Sequence, residues 1–325
     1  MKIITNVFAV ILLPVYGLCA GSVPAPQKAA PVLECPQASE KAEDCPWAGA
    51  ARLLDEKAGT KEDLASVFAA YAPGILKQLD ADRANTAALS LWGESINYDE
   101  FANGIIVRDE VLGFLSTRLG VARPRGRIVH AGMEHTYGYL FSLLPTKYGF
   151  KRARWVRPDI EEGLGLPRGS AGPAPSEGTL LANVTCLAGG IALKDDKKAS
   201  ALLKRAKPFC ASALRDYAAP GHDRLNEEVS LPGGRRVALR TDLVPFLKNS
   251  GGNDYLLVYS VYDSAAKRAF LVTAFPVNKG FVENTLSPAN LGEDKPVQTR
   301  YNAHVEGFTG AGSFKGKRSV TAIGK

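Results

Sequence analysis

The sequence predicts an α+β protein: an N-terminal helical segment followed by a mainly antiparallel β-sheet or partial barrel with one inserted helix. Three observations predict it. Residues 47–119 carry apolar side chains at three- and four-residue spacing, the period of a helix with one buried face. From residue 127 the chain turns rich in β-branched and aromatic residues, broken by turn clusters. Short connections join the candidate strands. Antiparallel pairing allows this, whereas parallel pairing needs a crossover of roughly a dozen residues.

The chain of 325 residues starts MKIITNVFAVILLPVYGLCAG. Lys2, an apolar run to Val15 broken only by Asn6 and Pro14, and small residues at Ala20 and Gly21 read as an export leader over residues 1–20. The run is too short to span a bilayer. A lipid anchor at Cys19 competes with this reading, but Leu18 puts a bulky side chain where a small one is expected. The expected destination is secreted or periplasmic, with no transmembrane segment after cleavage. Residues 21–46 form an Ala/Pro-rich tether with a cysteine pair. Of the 5 cysteines, loss of Cys19 leaves four, an even number suited to an oxidising compartment. Three pairings are open to four cysteines; proximity favours Cys35–Cys45 and Cys186–Cys210. No catalytic signature surrounds Cys186.

Within the helical region, residues 47–120, three runs recur: WAGAARLLDEKAG, the run from KEDLASVF to LWG, and DEFANGIIVRDEVLGFLSTRLG. Gly59 follows the first run, and Thr60 with Asp63 gives an N-cap pattern. Pro73 breaks the second and Gly120 ends the third, so three to five short helices are expected. The β-rich region, residues 121–312, follows. RIVHAG, HTYGYLFSLL and FKRARWV read as strands, with PTKYG as a turn between the last two. Residues 158–178 read as a long Gly/Pro loop, and TLLANVTCLAGGIAL as a strand or hairpin bent at Gly189-Gly190. DDKKASALLKRAKPFCASALRDYAA is the inserted helix, interrupted at Pro208. EEVSLPGGRRVALRT is a hairpin around Pro232-Gly233-Gly234, and DYLLVYSVYDSAAKRAFLVTAFPV a second one turning at DSAAK. VQTRYNAHVEGF is the last strand, before a basic Gly-rich tail over residues 313–325.

The stretch HAGMEHTYGY, residues 130–139, carries the strongest candidate chemistry. Zinc peptidases place two histidines four apart on a helix with a glutamate between them. Here His130 and His135 are five apart, and on a helix they would diverge by about 140° at about 100° per residue. Two glycines, Thr136 and two tyrosines favour a strand instead. On it, His135, Tyr137, Tyr139, Phe141 and Leu143 share one aromatic face. If Gly132 bends the chain, His130 and His135 approach each other and Glu134 orients an imidazole, which makes His130, Glu134 and His135 the catalytic candidates. The competing reading is an aromatic core strand with a hydrogen-bonded histidine.

In the next strand, alternation puts Arg152 and Arg154 on one face and Lys151, Trp155 and Arg157 on the other. Arginine beside an aromatic suits carboxylate, phosphate or sugar recognition, so Tyr137, Tyr139, Arg152, Arg154 and Trp155 are the ligand-binding candidates. A solvated, charge-protected edge strand would look the same. Weaker signals are Ser95 in WGES, where a helix cap is the expectation, and His222 and His304 as distant partners. Asn183-Val184-Thr185 fits a glycosylation sequon. No phosphate loop, dinucleotide fingerprint, CxxC or EF-hand appears, so no cofactor and no metal is assigned.

Net charge is +7, which favours an anionic small molecule or envelope polymer as partner. Nucleic acid is disfavoured in an exported protein. Two functions follow. One is an exported binding protein holding an anionic or sugar-like ligand on the aromatic and arginine-rich face. The alternative is an exported hydrolase centred on His130, Glu134 and His135, with or without a metal.

Overall fold

Helices come first in the chain. In a computed structural model, which describes residues 46–60, 63–146, 149–292, 295–308 and 314–324, the helical region opens with α1 (Pro46–Ala58), α2 (Leu64–Tyr71), α3 (Pro73–Ala84) and α4 (Thr86–Ser90). The Asp63 side chain caps α2 by accepting from the Ala65 N–H at 3.0 Å, and Pro73 begins α3, where its missing N–H costs nothing. Strand β1 (Glu94–Ile96) follows, then α5 (Asp109–Leu119), ended by Gly120 in the left-handed region at φ 69°. The export leader and the Cys35–Cys45 pair lie outside the described residues.

Next come β2 (Ile128–His130), a π-helical segment (Met133–Gly138), β3 (Pro145–Thr146), β4 (Gly149–Phe150), α6 (Ala153–Val156) and α7 (Asp159–Leu164). Then follow α8 (Leu180–Ala192), α9 (Lys197–Ala206) and α10 (Ser212–Arg215), with a 3₁₀ turn at Lys207–Phe209 that places Pro208 at the expected break. Strands β5 (His222–Ser230), β6 (Arg236–Ser250), β7 (Asn253–Asp263) and β8 (Arg268–Val277) make both expected hairpins. The chain closes with α11 (Lys279–Thr285), α12 (Pro288–Leu291), β9 (Ala303–His304) and β10 (Gly316–Ile323).

Two antiparallel sheets, of five strands in the order β10-β5-β6-β7-β8 and three in the order β2-β1-β9, establish the α+β class. They meet where Trp92 bridges Leu271 and the Gly93 N–H donates to the Leu271 carbonyl at 2.8 Å. One face of the larger sheet lies against α8, where Arg224 donates to the Ile191 carbonyl at 3.2 Å. The opposite face carries Tyr259 and Phe275, which pack edge-on against the Tyr301 ring.

Several elements depart from the sequence reading. Residues 180–192 form a helix, not a strand or hairpin. Almost every side chain of α8 is buried, so no polar stripe marks its period. Gly189 lets α9 approach: a Cβ there would lie 2.9 Å from Leu203. The sequon asparagine is closed off in the same helix, because Asn183 is fully buried, donates to the Glu177 carbonyl and accepts from the Ala211 N–H. The long loop after residue 158 contains α7, and Glu161 ties down the rest through the N–H groups of Gly169, Ala171 and Gly172 at 2.6–3.1 Å. Cys186 and Cys210 form the expected disulfide. The stretch read as a basic tail supplies β10, paired with β5 along its length. No described helix is long and apolar enough to cross a membrane.

Candidate functional site

Residues 131–140 are helical rather than extended. The strand reading rested on alternation, and alternation needs a solvent face to contrast with. Here every residue from Ala131 to Phe141 is buried, so the aromatic spacing carried no such information. The helix starts because His130 caps it, its Nδ1 accepting from the Met133 N–H at 3.2 Å while Nε2 faces the Leu89 carbonyl at 3.1 Å. Gly132 allows the first turn to press on the Trp92 ring.

In the middle, the Tyr139 N–H bonds to the Glu134 carbonyl, a five-residue step that defines a π-turn. Such turns often accompany functional sites. This one gathers three side chains. Glu134 Oε2 lies 2.6 Å from His135 Nδ1 and accepts from the Ser95 hydroxyl at 3.0 Å. The His135 ring meets the Tyr139 ring edge-on, 5.2 Å between centroids. Glu134 Oε1 is buried and receives no hydrogen bond, an exception to the usual satisfaction of buried polar atoms.

The chain 300–302 covers this cluster. Tyr301 and Asn302 both take positive φ, 57° and 64°. Two consecutive non-glycine residues there cost a few kcal/mol, on the order of 1–3 each. Both contact the π-turn: the Tyr301 carbonyl meets His135 Nε2 at 2.9 Å, and Asn302 Nδ2 donates to the Tyr139 hydroxyl at 3.2 Å. With Nδ1 also 3.0 Å from the Ala131 carbonyl, both His135 nitrogens face oxygen acceptors. His130 is held at both nitrogens as well, and burial pushes its pKa below the ordinary imidazole value.

Cations close the far side. Lys151, buried between β4 and α6, pairs with Asp99 at 2.6 Å and lies over the Tyr139 ring at 5.0 Å, with a long 3.5 Å contact to its hydroxyl. Burial lowers the lysine pKa, and nearby Arg154 lowers it further. Burial pushes Asp99 up, but the Lys151 hydrogen bond and charge together with the backbone N–H groups of Ala102 and Phe101 outweigh it and hold the carboxyl below its ordinary value. Tyr139 is pushed well up, first by burial and then by Glu134. Partly exposed Arg154 stacks its guanidinium on Phe275 at 4.4 Å. Among the described residues the guanidinium makes no hydrogen bond or direct ion pair, and burial lowers its pKa.

The structure thus brings together Glu134, His135, Tyr139 and Arg154 from the sequence-derived candidates and separates the others. Tyr137 turns into the core and donates to Asp82 at 2.5 Å. Trp155 is fully packed. Arg152 donates to the Ser142 carbonyl at 2.8 Å and stacks on Phe150 at 4.2 Å. The arginine-bearing stretch forms no extended face, since among the described residues β4 pairs only with β3 and helix α6 follows. Nor do the distant histidines join: His222 bonds Asp242 in the large sheet, and His304 on β9 stands opposite Glu94 of β1, with His130 on the other side of that strand. No group of three metal-ligating side chains occurs among the described residues.

Sequence reasoning missed Asp99, Phe275, Tyr301 and Asn302, and took Ser95 for a helix cap. Ser95 belongs to β1, not to a helix cap, and its partner is 39 residues away. Asp99 shows no local signal for its pairing with Lys151. Comparison with protein-family models, with curated proteins and with solved structures gives no match.

Proposed function

We propose that the protein is an exported binding protein that holds a small anionic ligand at Arg154. The observation that carries this reading is the state of that guanidinium. It is partly withdrawn from water, stacked on Phe275 and in no direct ion pair among the described residues, with the Asp99 and Glu134 charges acting on it only at longer range. A partly desolvated cation with no counter-charge in direct contact is costly, and a bound carboxylate or phosphate would offset the cost through charge-assisted hydrogen bonds. The Asn302 amide, the Tyr139 hydroxyl and the Lys151 ammonium supply polar contacts nearby. Export agrees with the Cys186–Cys210 disulfide. The hydrolase reading ranks second, because His130 and His135 have both ring nitrogens engaged and so offer no free base.

Calorimetric titration with phosphate, acetate and citrate tests the proposal. Wild-type protein is expected to bind at least one of them, and Arg154→Gln to weaken it by about tenfold or more, about 1.4 kcal/mol. The melting temperature without ligand should change little, since Arg154 makes no described ion pair to lose. Equal affinity of the two proteins for every anion would sink the reading.

A further inference from the structure

Resting on that reading, we infer that Lys151 is a covalent site: its amine condenses with the carbonyl carbon of a small compound that also carries a carboxylate or phosphate held by Arg154. The argument starts from the surroundings of Nζ. A lysine ammonium this buried keeps its charge only with help, and Asp99 at 2.6 Å supplies that help. Burial and the neighbouring Arg154 both favour the neutral amine, the form that attacks carbonyls.

The second group the reaction needs is a donor for the departing oxygen. The Tyr139 hydroxyl is 3.5 Å from Nζ. It accepts from Lys151 and Asn302, and its own proton is turned toward the Glu134 carboxylate. Behind it stands Glu134, whose Oε1 receives no hydrogen bond. Asp99, Lys151, Tyr139 and Glu134 therefore form one buried polar chain.

The step balances without a further reagent. Once Lys151 has released a proton to solvent, the nitrogen lone pair forms the C–N bond and the carbonyl π pair moves to oxygen. The resulting carbinolamine loses that oxygen as water, with protons returned through Tyr139. Summed over the step, ammonium and carbonyl become iminium and water. The π-turn and the strained Tyr301–Asn302 pair fit this role, since both fix the groups around Nζ.

Incubating the full chain with pyruvate and cyanoborohydride, which reduces an imine to a stable amine, tests the inference by intact mass and peptide mapping. One adduct is expected, on Lys151, formed about tenfold or more faster than on any other lysine and far faster than with uncharged acetone. Labelling at Lys151 no faster than at exposed lysines overturns the inference, and so does equal labelling by acetone. Mapping on the wild-type chain makes the result independent of whether a Lys151→Gln variant folds. Arg154→Gln should lose the Lys151 adduct selectively. Reversible pyruvate binding in calorimetry, without an adduct on Lys151, removes the covalent step and leaves the anion site standing.

Discussion

Asp82, on α3, shows how one buried side chain can set a pH response. Its carboxylate accepts from Tyr137 of the π-turn and from Thr179, the cap of α8, each at 2.5 Å, and so joins three helices. Burial raises its pKa to about 6, against the opposing pull of the hydrogen bonds from Thr179 and Tyr137. A carboxyl harder to ionise folded than unfolded favours the folded state when protonated. Its contribution is complete below the unfolded value of 3.8 and is lost as pH rises through about 6. Over that window the loss is about 3 kcal/mol. Asp82→Asn keeps the shape without the charge, so wild-type stability should fall relative to the variant between pH 4 and pH 7. Urea unfolding at the two pH values checks this; a difference that stays constant would show that Asp82 ionises as readily folded as unfolded. Neither the burial nor the three-way contact is legible in QLDADRA, where the acid looks like any solvated helical charge.

At the scale of elements, the π-turn is the feature on which the site depends, and Gly132 is where it is most sensitive. A Cβ at that position would lie 2.7 Å from two atoms of the Trp92 ring and 2.9 Å from Leu181. The indole cannot easily yield, because its N–H donates to the Thr185 hydroxyl of α8 at 2.8 Å. Gly132→Ala should therefore destabilise by about 2 kcal/mol through overpacking. The near-ultraviolet signal of Trp92 should move with it, and an unchanged melting temperature would show that the ring has room. The same element marks how far the sequence could be read. The hairpins β5–β6 and β7–β8 were legible because their strands alternate and their turns carry Pro-Gly-Gly or a polar cluster, which are local signals. The π-turn and α8 were not, because both are buried on all sides and lack the amphipathic contrast that tells a helical from an extended period. Within the candidate site, Glu134, His135, Tyr139 and Arg154 could be named from residue type alone. Their partners Ser95, Asp99, Phe275 and Asn302 could not, because only tertiary packing brings them together.

Across the whole molecule, the end of the chain is linked to the site through one buried carboxylate. Glu227, on β5, pairs with Arg318 of β10 at 2.8 Å and with Arg300 at 3.3 Å. Arg318 also donates to the carbonyls of Gly292, Lys295 and Pro296 at 2.8–3.2 Å, fastening the segment that leads to residue 300. Arg300 in turn precedes the Tyr301–Asn302 pair that meets His135 and Tyr139. Arg318→Ala removes the shorter of the two ion pairs and leaves Glu227 buried with Arg300 alone. Breaking a buried pair from one side costs about 3–5 kcal/mol, most of it the penalty on the charge left behind. The double variant Arg318→Ala with Glu227→Gln removes that charge, so it should recover part of the stability lost by the single one. Denaturant unfolding of the four proteins in the cycle measures the coupling. Anion affinity at Arg154 should fall in the single variant and follow the same partial recovery, because the Asn302 amide depends on Arg300 for its placement. Additive stability changes, or an affinity indifferent to Arg318, would mean that β10 only closes the sheet and that the 300–302 segment is held in place from elsewhere.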